Sequence, residues 1–228
     1  MTQSRYSRQI ALFGEEGQEK LCKAKVGVAG CGGLGTTLLT NLASAGVGTL
    51  VIADGDVPDV SNLNRQFVYR EGETDSKAEL LKTWLTSVNP DAKVIAFCGV
   101  LNEDNLDSVF HNCDILVDCL DRISTRKILS RYAVRTGKPL VHAGVTGFTG
   151  QLTVVIPGKT PDLEQIYDKV SDAPAGTVTS SVGSMVSTMA SLEATQVIQL
   201  ITSTGAPFIG KMLLIDLNCG SIDVIDLV

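Results

Sequence analysis

Aromatic residues make up only 5% of these 228 residues, with a single Trp, and there are only two His. Six cysteines are present, at 22, 31, 98, 113, 119 and 219, and no two stand as Cys-x-x-Cys. Histidines and cysteines this few and this scattered offer no metal-ligand set. The cysteines sit mostly in apolar runs such as Ala96-Phe97-Cys98, so they read as reduced, mostly buried thiols. No apolar run approaches the roughly twenty residues of a membrane span. The opening Met1-Thr-Gln-Ser-Arg-Tyr-Ser-Arg8 is polar and lacks the apolar core of a signal peptide. These absences predict a cytoplasmic protein with no membrane partner. The net charge of −6 gives no support for broad nucleic-acid binding. What is present is ordinary for an α/β protein: 44% apolar and 19% charged residues, and enough chain to bury a substantial core.

Strands are predicted at 25–30, 49–54, 93–98, 114–118 and 139–145. Helices are predicted at 14–23, 34–46, 75–88, 103–110 and 122–136. Their alternation implies a mostly parallel sheet covered by helices on both faces. After Gly147 the pattern changes. Segments 139–146 and 150–156 flank Gly147-Phe-Thr-Gly150 and read as a hairpin. Residues 157–180 lack periodicity and read as a mobile, functional loop. A helix at 181–203 and strands at 211–216 and 221–226 close the chain. The expectation is one α/β domain over 1–228. A Rossmann-like nucleotide-binding half, about 1–146, is continued by antiparallel strands within 147–228.

The stretch Val26-Gly-Val-Ala-Gly-Cys-Gly-Gly-Leu-Gly35, followed by Val51-Ile-Ala-Asp54, reads as strand, glycine turn, helix start and acid-ended strand. Gly30 permits the turn, Gly32 lets the backbone approach a phosphate, and Gly35 lets the helix pack close. The first N–H groups of the helix then face an anion. Asp54 follows at about twenty residues, where a carboxylate accepts from a ribose. The commonest owner of that fingerprint is an NAD-dependent oxidoreductase. Other residues point elsewhere. Asn62 and Arg65 are three apart, so one turn presents both, and Arg offers paired donors to a phosphate. The plainer reading is a solvated polar turn. Lys77 opens a helix, where it adds positive field, although most lysines simply face solvent. Asp121 follows the strand at 114–118, where carboxylates point into the ligand crevice; it either holds Mg²⁺ or caps the next helix.

Taken in order, Arg5-Tyr-Ser-Arg8-Gln9, Gly30-Cys-Gly-Gly-Leu-Gly35, Ala43-Ser-Ala-Gly-Val-Gly48, Asp54-Gly-Asp56, Ser61-Asn-Leu-Asn-Arg-Gln66, Lys77 and Asp118-Cys-Leu-Asp121 resemble the ThiF/MoeB/HesA family. This is the bacterial and archaeal branch of the ubiquitin-activating enzyme superfamily. The resemblance runs from residue 5 to about 156 and more loosely to 226. It implies an adenylyltransferase that binds MgATP and the C-terminal Gly-Gly of a small ubiquitin-like sulfur carrier of the ThiS or MoaD kind. The carrier carboxylate would attack the α-phosphate, giving an acyl-adenylate and pyrophosphate, and a sulfur donor or acceptor protein would then act on the adenylate. The resemblance places Gly30, Gly32, Gly33 and Gly35 at the phosphates and Asp54 at the ribose, and counts Asp56 among the ATP-binding residues. It places Asn62, Arg65 and Lys77 on the phosphates and Asp121 on Mg²⁺. Arg8 would reach the nucleotide site of the partner in a homodimer. Arg8, Arg65, Lys77 and Asp121 are then the catalytic set.

The chain also departs from that pattern. Many relatives carry two Cys-x-x-Cys pairs for zinc, and here Thr160-Pro-Asp-Leu-Glu-Gln165 stands where the first belongs, so no zinc is expected. Residues 157–190 hold no cysteine for a covalent link to a carrier; Thr177, Thr179 and Ser180 stand there instead, poor substitutes for a thiolate. Arg122 replaces an Asn that often follows the Asp. The missing zinc pairs favour an alternative, the zinc-free branch that dehydrates threonylcarbamoyladenosine in tRNA. The acidic balance and the N-terminal Arg-Tyr-Ser-Arg-Gln count against it. A non-catalytic ATP-binding or docking protein is opposed by the intact set Arg8, Asn62, Arg65, Lys77 and Asp121. NAD chemistry is disfavoured, since that set has no ready use in hydride transfer.

Overall fold

The structure, a computed structural model, describes residues 5–174, 177 and 180–228; Thr179, named above, lies outside them. One eight-stranded sheet runs through it, in the spatial order β3-β2-β1-β4-β5-β6-β7-β8. The strands are β1 (Lys25–Ala29), β2 (Thr49–Asp54), β3 (Lys93–Cys98), β4 (Ile115–Asp118), β5 (Leu140–Thr146), β6 (Thr149–Val155), β7 (Lys211–Asp216) and β8 (Ser221–Asp226). The first five pair in parallel, and β6, β7 and β8 add on antiparallel.

Alternation along the strands sorts side chains into two cores. Val26, Val28, Leu50 and Ile52 face one side, where they pack with Leu38, Leu42 and Val197. These come from α2 (Gly33–Ala45) and α7 (Gly183–Thr202), with α1 (Ser7–Lys23) and α3 (Lys77–Val88) beside them. Ala29, Val51 and Leu116 face the other side, with Phe110, Leu129 and Leu163. Those belong to α4 (Leu106–Phe110), α5 (Ile123–Thr136) and α6 (Leu163–Ile166). Burial of each such Leu or Phe contributes about 1.5–3 kcal/mol, which is why a chain with few aromatics still has two cores.

Four expectations change. The first helix is longer, because Tyr6 and Gln9 are drawn onto neighbouring helices; Gly14, at φ 74° and ψ 174°, breaks it midway. The fourth helix shrinks to five residues, because Asn102 Oδ1 takes the N–H groups of Asp104 and Asn105 into a turn. Three of the six cysteines, Cys22, Cys98 and Cys219, are exposed rather than buried. The stretch expected to be a mobile loop is fastened to α5 over its first half. Leu163 N–H donates to Ser130 Oγ (3.0 Å), Arg131 pairs with Glu164 (2.5 Å), and Lys127 Nζ donates to Val170 O (3.1 Å). Its own short helix, α6, begins with a capping box between Asp162 and Gln165. Among the described residues no helix is long and apolar enough to cross a membrane.

Candidate active site

Strand order reverses at β1: β2 and β3 lie to one side of it, β4 and β5 to the other. Sheets of this kind bind ligands at the carboxyl ends of the strands beside the reversal. At those ends stand the turn Gly30–Gly32, Asp54 and Asp118.

The turn is built by the absence of side chains. Gly30 lies at φ 101°, and a Cβ there would stand 2.5 Å from Cys119 O. A Cβ on Gly35 would stand 2.0 Å from Gly30 O, and one on Gly33 2.8 Å from Val186 Cγ1. A Cβ on Gly32 meets nothing nearer than Gln66 Nε2 at 3.6 Å, so this side of the turn is open. The helix that begins here, α2, has no side-chain cap, and its first N–H groups face that opening.

Asp54 braces the turn. Its Oδ2 accepts from Cys31 N–H (2.7 Å) and its Oδ1 from Asp56 N–H (2.8 Å). Burial pushes its carboxyl up against the pull of these two bonds. Asp56 is different: its side chain is 74% exposed and lies 3.3 Å from Lys77 Nζ. Lys77 is not a solvent-facing lysine, being only 5% exposed. Its N–H donates to Asp56 O (2.9 Å), and Tyr69 Oη bridges Cys31 O (2.7 Å) and Lys77 O (3.3 Å). The ammonium is kept from water at the foot of the turn, paired with exposed Asp56 and within the field of Asp54 and Asp59.

Residues Val60–Asn62 form a single 3₁₀ turn whose Ser61 N–H is capped by Asp59. Arg65 N–H then donates to Asn62 O (3.1 Å), so the two residues sit one turn apart as their spacing predicts. Arg65 Nη1 donates to Ser61 O (2.9 Å) and Asn64 Oδ1 (2.7 Å), and its stem would meet a Cβ on Gly33 at 3.3 Å. Arg65 is therefore beside the glycine turn. The start of α7, also without a side-chain cap, closes this side, with Gly183 against Asn64 O.

Asp121 is exposed and makes no hydrogen bond among the described residues. It is not the cap of α5: Arg122 occupies that position, and Asp172 accepts from Ser124 N–H (3.0 Å) and Oγ (2.5 Å). Among the described residues no three His, Cys, Asp or Glu are grouped to hold a metal. One free carboxylate fits an ion that draws its other oxygens from nucleotide phosphates and water, as Mg²⁺ does, not a resident cage.

Asp118 does not point into the crevice. It is fully buried, and its Oδ2 lies 2.8 Å from His142 Nδ1 and 3.3 Å from Arg126 Nη1. Tyr167 Oη, 2.7 Å from His142 Nε2, donates to it, which assigns the proton of a neutral imidazole to Nδ1, facing Asp118. Burial would raise the Asp118 carboxyl; the Arg126 charge and the His142 bond outweigh it and hold it low. Burial keeps His142 below its ordinary value. Glu193 is also fully buried, with Oε2 3.6 Å from Cys119 Sγ, and burial pushes its carboxyl well up. Sequence reasoning missed Arg126, His142, Tyr167 and Glu193. Two signals were there: Glu193 is the only charge in α7, and His142 is the only ionisable residue in β5.

Arg8 is not with the others. Tyr6 packs on Gly46, Asn89 Nδ2 donates to Tyr6 Oη (2.8 Å), and Gln9 Nε2 donates to Ala45 O (2.7 Å). Those are the far ends of α2 and α3. At about 1.5 Å per residue, the 13 residues of α2 put Arg8 about 20 Å from the turn.

Known proteins resemble this chain in sequence and fold. The ThiF family profile matches residues 6–227. Protein HesA, heterocyst, of Trichormus variabilis is 36% identical over 94% of this chain and 81% of its own length. The sulfur carrier protein ThiS adenylyltransferase of Escherichia coli is 35% identical over 93% of this chain and 86% of its own. A crystal structure of E. coli MccB with AMPCPP and MccA superposes with a TM-score of 0.87, at 25% identity, over 98% of this chain and 71% of that one. The chain belongs to the ThiF family.

Proposed function

We propose that this adenylyltransferase transfers AMP from ATP to the C-terminal Gly-Gly carboxylate of a small ubiquitin-like sulfur carrier. The buried Lys77 carries the reading: its ammonium sits at the foot of an open glycine turn, where the ion-pair partner it has among the described residues, Asp56, is exposed and can yield to a phosphate. Hydride transfer has no use for such a group, whereas a triphosphate does. The 35% identical ThiS adenylyltransferase supports the choice of carrier. Residues 1–228 act as one adenylation domain, since a single sheet joins both halves.

The geometry distributes the roles. The N–H groups after Gly32 and the Lys77 and Arg65 cations hold the phosphates, with Asn62 one turn from Arg65. Each Asp54 oxygen takes one backbone N–H and keeps a lone pair for a ribose hydroxyl, so Asp54 both shapes the turn and accepts from the ribose, with Asp56 beside it. Asp121 would hold Mg²⁺, which supplies positive charge to the phosphate oxygens when it arrives with ATP. A carrier carboxylate oxygen forms the new bond to the α-phosphorus, the α–β bridge breaks, and pyrophosphate leaves with both electrons. The chain's work is to bring two anions together and to spread the charge on phosphorus. Arg8 serves the second site of a homodimer, being too far from its own. Exposed Ile222 and Val224 on the free edge of β8 offer apolar surface to a protein partner, not to a nucleic acid.

Exchange of labelled pyrophosphate into ATP tests this. Exchange should require a carrier ending in Gly-Gly. Its absence with every such carrier encoded nearby, or a salt-sensitive shift with tRNA, would overturn the assignment.

A further inference from the structure

The turn that presents Asp121 is held on one side by Asp118 and Arg126, which the segment joining β6 to α7 reaches through His142, and on the other by that segment directly. On one side Leu120, the residue before it, is fixed twice. Its N–H donates to Asp118 Oδ1 (3.0 Å), and its carbonyl accepts from Arg126 Nη2. Arg126 also donates to Ala143 O (2.9 Å) and pairs with Asp118, which His142 grips in turn. His142 receives the Tyr167 hydroxyl, and Gln151 donates to that same hydroxyl. Tyr167 follows α6 within the joining segment. On the other side Ser124, three residues beyond Asp121, is bonded at N–H and Oγ by Asp172 of the same segment. A carboxylate at the first turn of α5 also suits the helix dipole.

We propose that Tyr167 and Asp172 are positioning residues for Asp121: the docked segment sets where that carboxylate stands. Neither residue touches the crevice; both act through groups that flank Asp121. Groups hydrogen-bonded directly to a metal-binding residue are worth about ten- to a hundredfold in metal affinity, and these two, acting through intervening groups, are expected at the low end of that range. The inference rests on the reading of Asp121 as the Mg²⁺ carboxylate.

The test is calorimetric binding of a non-hydrolysable ATP analogue to the full chain, with Mg²⁺ and with chelator, so that turnover plays no part. Asp121→Asn is the reference and should abolish most of the gain in affinity that Mg²⁺ brings. Tyr167→Phe and Asp172→Ala should each cut that gain about tenfold while leaving Mg²⁺-free affinity unchanged. A purely structural role would lower both affinities together, and that result would overturn the proposal, as would an undiminished Mg²⁺ gain in both variants. Tyr167→Phe keeps the ring that packs beneath the segment, so it folds even if Asp172→Ala does not. If Asp121→Asn keeps the full gain, the reading of Asp121 fails first and takes the proposal with it.

Discussion

Gly35→Ala offers the sharpest test of how the nucleotide turn is built. A Cβ at Gly35 would stand 2.0 Å from Gly30 O, whereas real Cβ atoms stay beyond 3.0 Å. The partner is backbone, so no rotamer change relieves the clash; α2 has to retreat from the turn by about 1 Å. Overpacking of this kind costs about 1–3 kcal/mol. For a chain of this size each kcal/mol lowers Tm by about 2–4 °C, so the variant should melt about 2–12 °C lower. A shift of about 1 Å between the α2 N–H groups and the phosphates should also cost about a hundredfold in turnover. Gly32→Ala is the control. Its Cβ meets nothing nearer than 3.6 Å, and its φ of −78° suits any residue. That variant should melt like the parent yet bind ATP weakly, because its methyl stands in the open side. Calorimetry with ATP and a melting curve for each variant decide the matter. A Gly35→Ala protein with unaltered Tm and ATP affinity would refute the reasoning, and so would a Gly32→Ala protein that binds ATP normally.

Lys77→Met should leave Tm unchanged or higher, since it removes a buried charge, yet reduce pyrophosphate exchange by about 10²–10³-fold; equal loss of both would contradict a phosphate role. Burial pushes the Glu193 carboxyl up, so its folded pKa lies above the unfolded one. That contribution is complete below the unfolded value and is lost as pH rises towards the folded one. Glu193→Gln should therefore gain on the parent in melting temperature from pH 5 to pH 8, and a gap that stays flat would remove the argument. Arg8→Ala and Lys77→Met should each be inactive alone. Mixed as dimers they should recover about a quarter of the parental activity, because half the dimers are mixed and each holds one intact site; no recovery would rule out supply across the dimer.

Much of the fold was legible because its signals are local. The glycines, the short apolar runs of β1 and β2, and the spacing of Asn62 and Arg65 each depend on a few neighbouring residues, and each stands where its pattern implies. What was illegible depends on distant partners. Lys77 is buried because Asp56 and Tyr69, from other parts of the chain, close over it. Asp121 does not cap α5 because Asp172, far along the chain, reaches Ser124 first. Asp118 turns inward because Arg126 and His142 make a better site for a carboxylate than the crevice does. The segment before α7 lacks periodicity, yet Ser130, Lys127 and Arg131 of α5 hold it, and no repeat along the sequence encodes that attachment.

The central claim is that a carrier's terminal carboxylate receives AMP. Intact mass measurement of a Gly-Gly carrier, taken after brief incubation with this chain and MgATP, tests it most directly. The account predicts a carrier heavier by one adenylyl group, equimolar pyrophosphate, and neither product when the carrier's C-terminus is amidated. Adenylylation of the amidated carrier, or pyrophosphate release that ignores the carrier, would contradict it.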